Sequence, residues 1–324
     1  MNLGRVGIMT SGGDAPGMSA AVRAAVRMGD HLGLETIAVR DGYEGLLQGR
    51  TGTIASPEVE GIERQGGTIL GTSRCPAFHT PEGVARGLAQ LERDNIEALL
   101  VIGGNGSFNG ALQLHKRGFP VVGVPASIDN DVGGTDIAIG VDTAINTALD
   151  ALDKLKDTAA AFQRAFIVEV MGRHSGWIAL QSAIAAGADM VLVPEVPFAM
   201  ETVAQRMQRV RASGKTHFIL VVAEGAKPTA TEITDMVARR DDVGFESRLT
   251  ILGHIQRGGS PTAFDRLLAA RLAARGIEEL AAGRHGTVIG LHNMQTTVTP
   301  LEEAVAASSH FNPETYRFAE IIAG

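Results

Sequence analysis

The chain has 324 residues, 44% hydrophobic and 20% charged, a globular composition long enough for two domains with cores of their own. Its 36 Asp and Glu outweigh 29 Lys and Arg, for a formal net charge of −7, and no basic run suggests a nucleic-acid or anionic-membrane surface. One cysteine, Cys75, excludes an intrachain disulfide, and 40 glycines beside one Trp and two Tyr leave few rings for stacking bases.

The opening MNLGRVGIMTSGG lacks the apolar core of a signal peptide, and no apolar run reaches transmembrane length, so the expectation is a cytoplasmic protein. In chain order, Val6–Thr10 reads as a buried strand, Ser19–Leu32 as a helix and Thr36–Arg40 as a second strand. Ala98–Ile102 and Val121–Val124 are strands separated by a helix through Ala111 and Leu114. A long helix over about Ile137–Lys156 follows, then strand Ala165–Val170, helix Ile178–Ala186 and strand Met190–Val193. The remainder gives strands His217–Ala223 and Leu249–Leu252, a helix over Pro261–Arg275 and a strand at Val288–Leu291. Alternating helices and doubly buried strands predict an α/β fold with mostly parallel sheets. The pattern alone places no domain boundary.

Glycine and polar clusters fall after strands, where open α/β sheets bind ligands at strand ends and helix N-termini. TSGGDAPGM (Thr10–Met18) lets backbone amides approach an anion, with Pro16 suited to the first turn of the next helix; it reads equally as a plain turn. VIGGNGSFNGA (Val101–Ala111) is a second such turn, with Ser107 as a phosphate donor, and it is neither a P-loop nor GxGxxG. In PASIDNDVGGTD (Pro125–Asp136), extended backbone would project Asp129 and Asp131 to one side, as a base beside a metal-associated carboxylate; an Asx-rich turn is the alternative. A dispersed set has Arg164, Arg173, Arg248, His254 and Arg257 at or near strand ends, where Arg forks match phosphate oxygens. His254 alone would more often be a structural histidine. Glu224 ends an apolar strand.

TSGGDAPGM, GGT followed by Arg74, GGNGS, SIDND, VEVMGR and LGHIQRGGSP resemble, in order and spacing, the motifs of bacterial ATP-dependent 6-phosphofructokinases, over about residues 5–300. The resemblance implies two doubly wound α/β domains, with residues 1–140 and 255–305 binding nucleotide and 141–254 and 306–324 binding the sugar phosphate. It implies transfer of the ATP γ-phosphate to the 1-hydroxyl of fructose 6-phosphate with Mg²⁺, in a homo-oligomer that is usually a tetramer. By position, Asp129 resembles the general base, with Ser127 and Arg173 steadying the phosphoryl group. Gly13, Arg74, Cys75, Gly104, Asn105, Gly106 and Ser107 resemble the ATP site. Ile128, Met171, Gly172, Glu224, His254, Ile255, Gln256 and Arg257 resemble the sugar-phosphate site, with Arg164 and Arg248 reaching it from a neighbouring subunit. Arg23, Arg27, Lys156 and Lys215 resemble the effector pocket.

The chain departs from that pattern in several places. Asn105 stands where the family usually holds Mg²⁺ with Asp, leaving Asp131 to act indirectly. Ala126 replaces the Gly common in ATP users, and Ser127 the usual Thr. Ser56, Lys156 and Ser213 replace an Arg, an Arg and a Lys of the effector pocket, so weak effector control is expected. Asn105 keeps open a weakly active or regulatory paralogue. A pyrophosphate-dependent enzyme is disfavoured, since such relatives usually carry Asp at position 106 and Lys at 126.

Overall fold

The computed structural model describes residues 3–307 and 311–323. The chain divides into two compact units, one of Met1–Thr143 with Arg257–Ser309, the other of Ala144–Gln256 with His310–Gly324. The first unit runs through β1 (Arg5–Ser11), α1 (Met18–His31), β2 (Glu35–Val39), α2 (Gly42–Leu47), β3 (Thr51–Thr53), α3 (Pro81–Arg93), β4 (Ala98–Gly103), α4 (Asn105–His115) and β5 (Val121–Pro125). Helix α5 (Val141–Phe162) begins there and ends in the second unit. The second unit continues with β6 (Ala165–Val170), α6 (Trp177–Ala186), β7 (Met190–Leu192), α7 (Met200–Ala212), β8 (Phe218–Ala223), α8 (Ala230–Ala238) and β9 (Ser247–Ile251). The chain returns to the first unit for α9 (Ala263–Ala281), β10 (Thr287–His292), β11 (Gln295–Pro300) and α10 (Leu301–Ala306), and α11 (Pro313–Ile322) closes the second.

The first sheet has the order β11-β10-β5-β4-β1-β2-β3, parallel throughout except at its two outer pairs. The second, β7-β8-β6-β9, is wholly parallel. Strands β4 and β8 are buried at every residue. Runs such as ALLVIG and FILVVA can stay continuously apolar because helices cover both faces of a parallel sheet. Met9, Val39, Leu99, Val101, Phe108 and Leu114 anchor a core cluster in the first unit. Ile167, Leu192, Val203, Met207, Leu220 and Ile233 do so in the second.

Where element bounds differ from the sequence reading, local chemistry explains it. Helix α5 starts at Val141 rather than Ile137 because Ile139 forms a parallel bridge with Ala126 and Gly140 has φ 102°. It runs on to Phe162 through DTAAAF, since nothing there breaks a helix before Gln163 turns left-handed at φ 55°. Helix α9 starts two residues late because the Thr262 side chain caps it, accepting from the Asp265 amide. Pro16 lies before the N-cap of α1, Gly17, instead of inside the first turn. Strand-based reading passed over α3, α7, α8 and α11. Of these, α3 carries a Thr80 cap with Pro81 at its first position, and α8 a Thr229–Glu232 capping box.

The last turns of α9 hold one buried carboxylate, Glu279. Arg284 donates to its two oxygens at 2.6 and 2.9 Å, and Arg275 pairs with Oε1 at 2.6 Å. The Arg284 hydrogen bonds pull the Glu279 pKa below its ordinary value, against the opposing effect of burial. A carboxyl depressed in the folded state stabilises the fold above its unfolded pKa and loses that contribution as pH falls through the folded one. Glu279→Gln should therefore cost about 1–2 kcal/mol in urea unfolding near neutral pH. The gap from the unsubstituted chain should close as the solution is acidified below the carboxylate range. A gap that stays constant on acidification would show that packing, not charge, holds this turn.

Candidate active site

Three loops of the first unit meet because their strands do. β1, β4 and β5 are parallel neighbours whose ends align, Ser11 opposite Gly103 and Gly103 opposite Pro125. The loops carrying Gly13 and Ser127–Asp131 and the N-terminus of α4, Gly104–Ser107, thus leave one sheet edge side by side. Gly13 lies close under Arg257: a Cβ there would sit 2.5 Å from a guanidinium nitrogen, so the end of that flexible side chain would have to shift. That nitrogen donates to the Asp14 carbonyl at 3.0 Å, which lays Arg257 across the first loop. Ser107 is buried, and among the described residues its hydroxyl has no partner. It points at the first loop, where a Cβ on Gly12 would sit 3.0 Å from its Oγ.

Beside these loops a cavity of about 240 Å³ is lined by Ser11, Gly12, Tyr43, Arg74, Cys75, Phe78, Gly106 and Ser107, among others. Thr72 Oγ1 donates to the Gly12 carbonyl at 2.7 Å and Ser73 Oγ to the Asp41 carbonyl at 2.8 Å, fixing the strand of chain that bears Arg74 and Cys75. Tyr43 and Phe78 stack with ring centroids 4.1 Å apart, and Tyr43 Oη donates to the Ser107 carbonyl at 2.7 Å. Burial pushes the Tyr43 phenol far above its usual pKa, so it remains a donor. Sequence reading missed both rings: they come from outside the glycine motifs, and only the fold brings them to the cavity.

The Asp129 loop is a turn, the alternative that the sequence left open, so the alternation of an extended segment does not apply to Asp129 and Asp131. Asn130 adopts φ 48°, and its buried amide donates to the Asp136 carbonyl at 3.0 Å and accepts from Ala138 N at 2.9 Å. This clamp offsets the cost of a left-handed non-glycine residue. Ser127 Oγ accepts from the Asp129 amide at 3.3 Å and lies 3.4 Å from Asp131 Oδ1. Ile128 is buried beneath the turn, while Asp129 and Asp131 are half-buried. Asn105, the first residue of α4, donates from Nδ2 to the Asp131 carbonyl at 3.0 Å. An Asp at 105 has no proton to give there.

The second unit divides its predicted residues between the two ends of its sheet. At the C-terminal ends of β6 and β8, Met171 is buried, Gly172 has φ 138°, and Arg173 lies 3.6 Å from Glu224. The Glu224 amide donates to the Val170 carbonyl at 2.9 Å, and Gly225 N to Gly172 O at 3.1 Å, tying the two strand ends together. Glu169, which the sequence reading passed over, has its carboxyl pKa raised by burial and by the charge of Glu224. Past β9, His254 and Ile255 are exposed, whereas Gln256 is buried and donates to the Gly253 carbonyl at 3.0 Å.

Arg164 and Arg248 sit at the other end of that sheet, before β6 and early in β9. They are not among the C-terminal strand ends where the sequence reading grouped them. Glu246 bridges the pair, taking Arg164 Nε at 2.6 Å on one oxygen and Arg248 on the other. Both arginines hold its pKa down. The Arg164 guanidinium also lies 4.8 Å from the centre of the Phe162 ring.

A family profile described as Phosphofructokinase matches residues 5–280. The chain belongs to the phosphofructokinase family. It is 48% identical over 319 residues to the "ATP-dependent 6-phosphofructokinase" of Thermotoga neapolitana, covering 98% of this chain and 99% of that one. It is 48% identical over 320 residues, with the same coverage, to "ATP-dependent 6-phosphofructokinase 1" of Thermus thermophilus. The phosphofructokinase structure from Saccharomyces cerevisiae superposes with a TM-score of 0.85 at 35% identity, over 99% of this chain and 48% of that longer one. A pyrophosphate-dependent phosphofructokinase from Marinobacter aquaeolei superposes at 0.84 with 21% identity over 96% of this chain and 86% of its own, a likeness of fold alone.

Each of the four effector-pocket cations expected from the family has an acceptor inside its own unit. Arg23 pairs with Glu63 at 3.1 Å, Arg27 with Glu60, and Lys215 with Asp189 at 2.5 Å, while Lys156 donates to the Ala186 carbonyl. Ser56 starts a short 3-10 turn, and Ser213 caps α7 by donating to the Val210 carbonyl at 2.7 Å.

Cys75 offers a direct probe of the cavity. Burial, and then a hydrogen bond with Glu44, raise its thiol pKa. Only the thiolate is nucleophilic, so alkylation should be slow near neutrality and still rising at pH values where a free thiol has levelled off. Glu44→Gln should move that rise to lower pH. Saturating ATP should slow the reaction, and equal labelling with and without nucleotide would remove Cys75 from the nucleotide site.

Proposed function

We propose that this chain is an ATP-dependent 6-phosphofructokinase, moving the γ-phosphate of ATP to the 1-hydroxyl of fructose 6-phosphate to give fructose 1,6-bisphosphate. The carrying observation is the aligned edge of β1, β4 and β5, which sets the glycine-rich turns and the unpaired Ser107 hydroxyl beside the Asp129 turn. Identity of 48% across nearly the whole length of named ATP-dependent relatives supports the same reading. The first unit takes the nucleotide, with Gly13, Arg74, Cys75 and Gly104–Ser107 around it. The second supplies the sugar-phosphate residues Met171, Gly172, Glu224 and His254. Asp129 removes the proton from the sugar hydroxyl, and Ser127 and Arg173 steady the phosphoryl group in transit. Phosphoryl transfer rests on positioning and charge more than on covalent chemistry, which suits this set of fixed donors. The protein works in the cytoplasm.

A Cβ at Gly106 would meet nothing within 4 Å, so the first turn of α4 leaves space for a nucleotide beyond its terminal phosphates, and buried Ala126 offers no cation for free pyrophosphate. Turnover with ATP should exceed that with pyrophosphate at least about 100-fold, an edge of roughly 2.7 kcal/mol. Comparable rates in a coupled assay would overturn the donor assignment.

Mg²⁺ favours one or two carboxylates together with substrate phosphates, and no cluster of three metal-ligating side chains occurs among the described residues. Asp131 and the Asn105 carbonyl oxygen fit that modest role. The ion would neutralise phosphate charge. Asn105→Asp exchanges the hydrogen bond to Asp131 for a negative charge. The Mg²⁺ concentration for half-maximal rate should fall roughly tenfold, about 1.4 kcal/mol. An unchanged Mg²⁺ titration would show that residue 105 only ties the two loops.

Arg164 and Arg248 lie at the far end of the second unit's sheet from Glu224, which suits service to a neighbour's 6-phosphate in a homo-oligomer, a tetramer in this reading. Mixing Asp129→Ala chains with Arg164→Ala chains should then restore activity, because some hybrid sites regain both residues. No recovery despite subunit exchange proven by native mass spectrometry would place all the arginines in one chain's site.

A further inference from the structure

We propose that Asp265, outside every motif considered so far, is a positioning residue for phosphoryl transfer: its carboxylate fixes residues 139–143, the wedge against which the Gly13 and Asp129 loops are set. The inference rests on the kinase reading above.

Asp265 lies in the first turn of α9 and is fully buried. One oxygen accepts from the Gly140 amide at 2.9 Å, and the other from Thr143 N at 2.8 Å and Thr143 Oγ1 at 2.5 Å. The Thr143 hydroxyl in turn accepts from Thr262 N at 3.1 Å, and Thr262 Oγ1 donates to Asp142 at 2.6 Å. The N-termini of α5 and α9 are thus pinned to each other by side chains.

The pinned segment touches the catalytic loops directly. Ile139 N donates to the Pro125 carbonyl at 3.0 Å, and Ser127 N donates to the Ile139 carbonyl at 3.1 Å. A Cβ on Gly140 would lie 2.7 Å from the Ala15 Cβ, and one on Gly17 would lie 2.7 Å from Ile139 Cγ2. Residues 139 and 140 therefore fill the gap between the first loop and the Asp129 turn, with no slack on either side. Burying a carboxylate costs free energy. Here two amides and a hydroxyl repay part of it, and no Lys or Arg ion pair is among its contacts in the described residues. Asn would offer one acceptor oxygen where three donors converge, and its NH₂ would face an N–H.

Asp265→Asn should fold, shown by far-UV circular dichroism and a melting point above the assay temperature. Its kcat should fall about 10–100-fold, the scale of a displaced reacting group, with KM for ATP and fructose 6-phosphate nearly unchanged. Sucrose, which raises stability by exclusion from the surface, should not restore the rate. Deuterium uptake should rise in peptides covering 12–17 and 126–140, a readout independent of turnover. Wild-type kcat, or a loss that sucrose reverses, with extra uptake confined to α9, would overturn the proposal and leave Asp265 a purely structural residue. If Asp265→Asn does not fold, Thr143→Val keeps the carboxylate and both amide bonds. It should lose kcat several-fold, and Thr143→Ser should recover it; a wild-type rate in Thr143→Val overturns the proposal. An unsubstituted chain that fails to turn over ATP and fructose 6-phosphate would sink the kinase reading itself, which the uptake measurement does not need.

Discussion

The alignment of Ser11, Gly103 and Pro125 across three parallel strands is the constraint from which the candidate site follows. Parallel neighbours end at the same level, so their loops emerge together. Sequence-distant residues such as Gly13, Ser107 and Asp129 become neighbours without any contact having to recruit them. The helices then only need to hold that edge in place, which α9 does through Asp265, with Thr262 at its N-cap and Arg257 in the turn before it adding contacts of their own.

Strands buried at every residue were legible because their apolar runs have no competing explanation, and Ala165–Val170 is found with the bounds read from sequence. The glycine loops were legible for a related reason: Gly12, Gly13 and Gly104 follow strands directly. Reading failed where tertiary contact outweighs local pattern. The sequence around Asp129 fits an extended segment and an Asx-rich turn alike, and only the Asn130 amide, bonded to Asp136 and Ala138, decides for the turn. Tyr43 and Phe78 carry no motif, and their stacking exists only once α2 and the chain before α3 are packed together. Asp265 lies in an ordinary helical pattern. Nothing in its neighbours announces a buried carboxylate, since its donors are 122 and 125 positions away.

The second unit's sheet carries a separate charged group at each of its ends. Its C-terminal edge carries Arg173 and Glu224 with the half-buried Glu169 behind them. Its N-terminal edge carries the arginine pair and Glu246. β6 joins the two edges, and the residues along it are nearly all buried. The strand fixes their separation.

Glu246 has a consequence for how that second edge behaves in salt. Two bare guanidinium groups side by side would repel each other and gather a shell of counterions. With a carboxylate already between them, the cluster carries a single net positive charge and brings its own permanent counterion. Fewer mobile anions gather there, so ionic strength would weaken this edge's hold on any anion less than it would that of an unneutralised arginine pair.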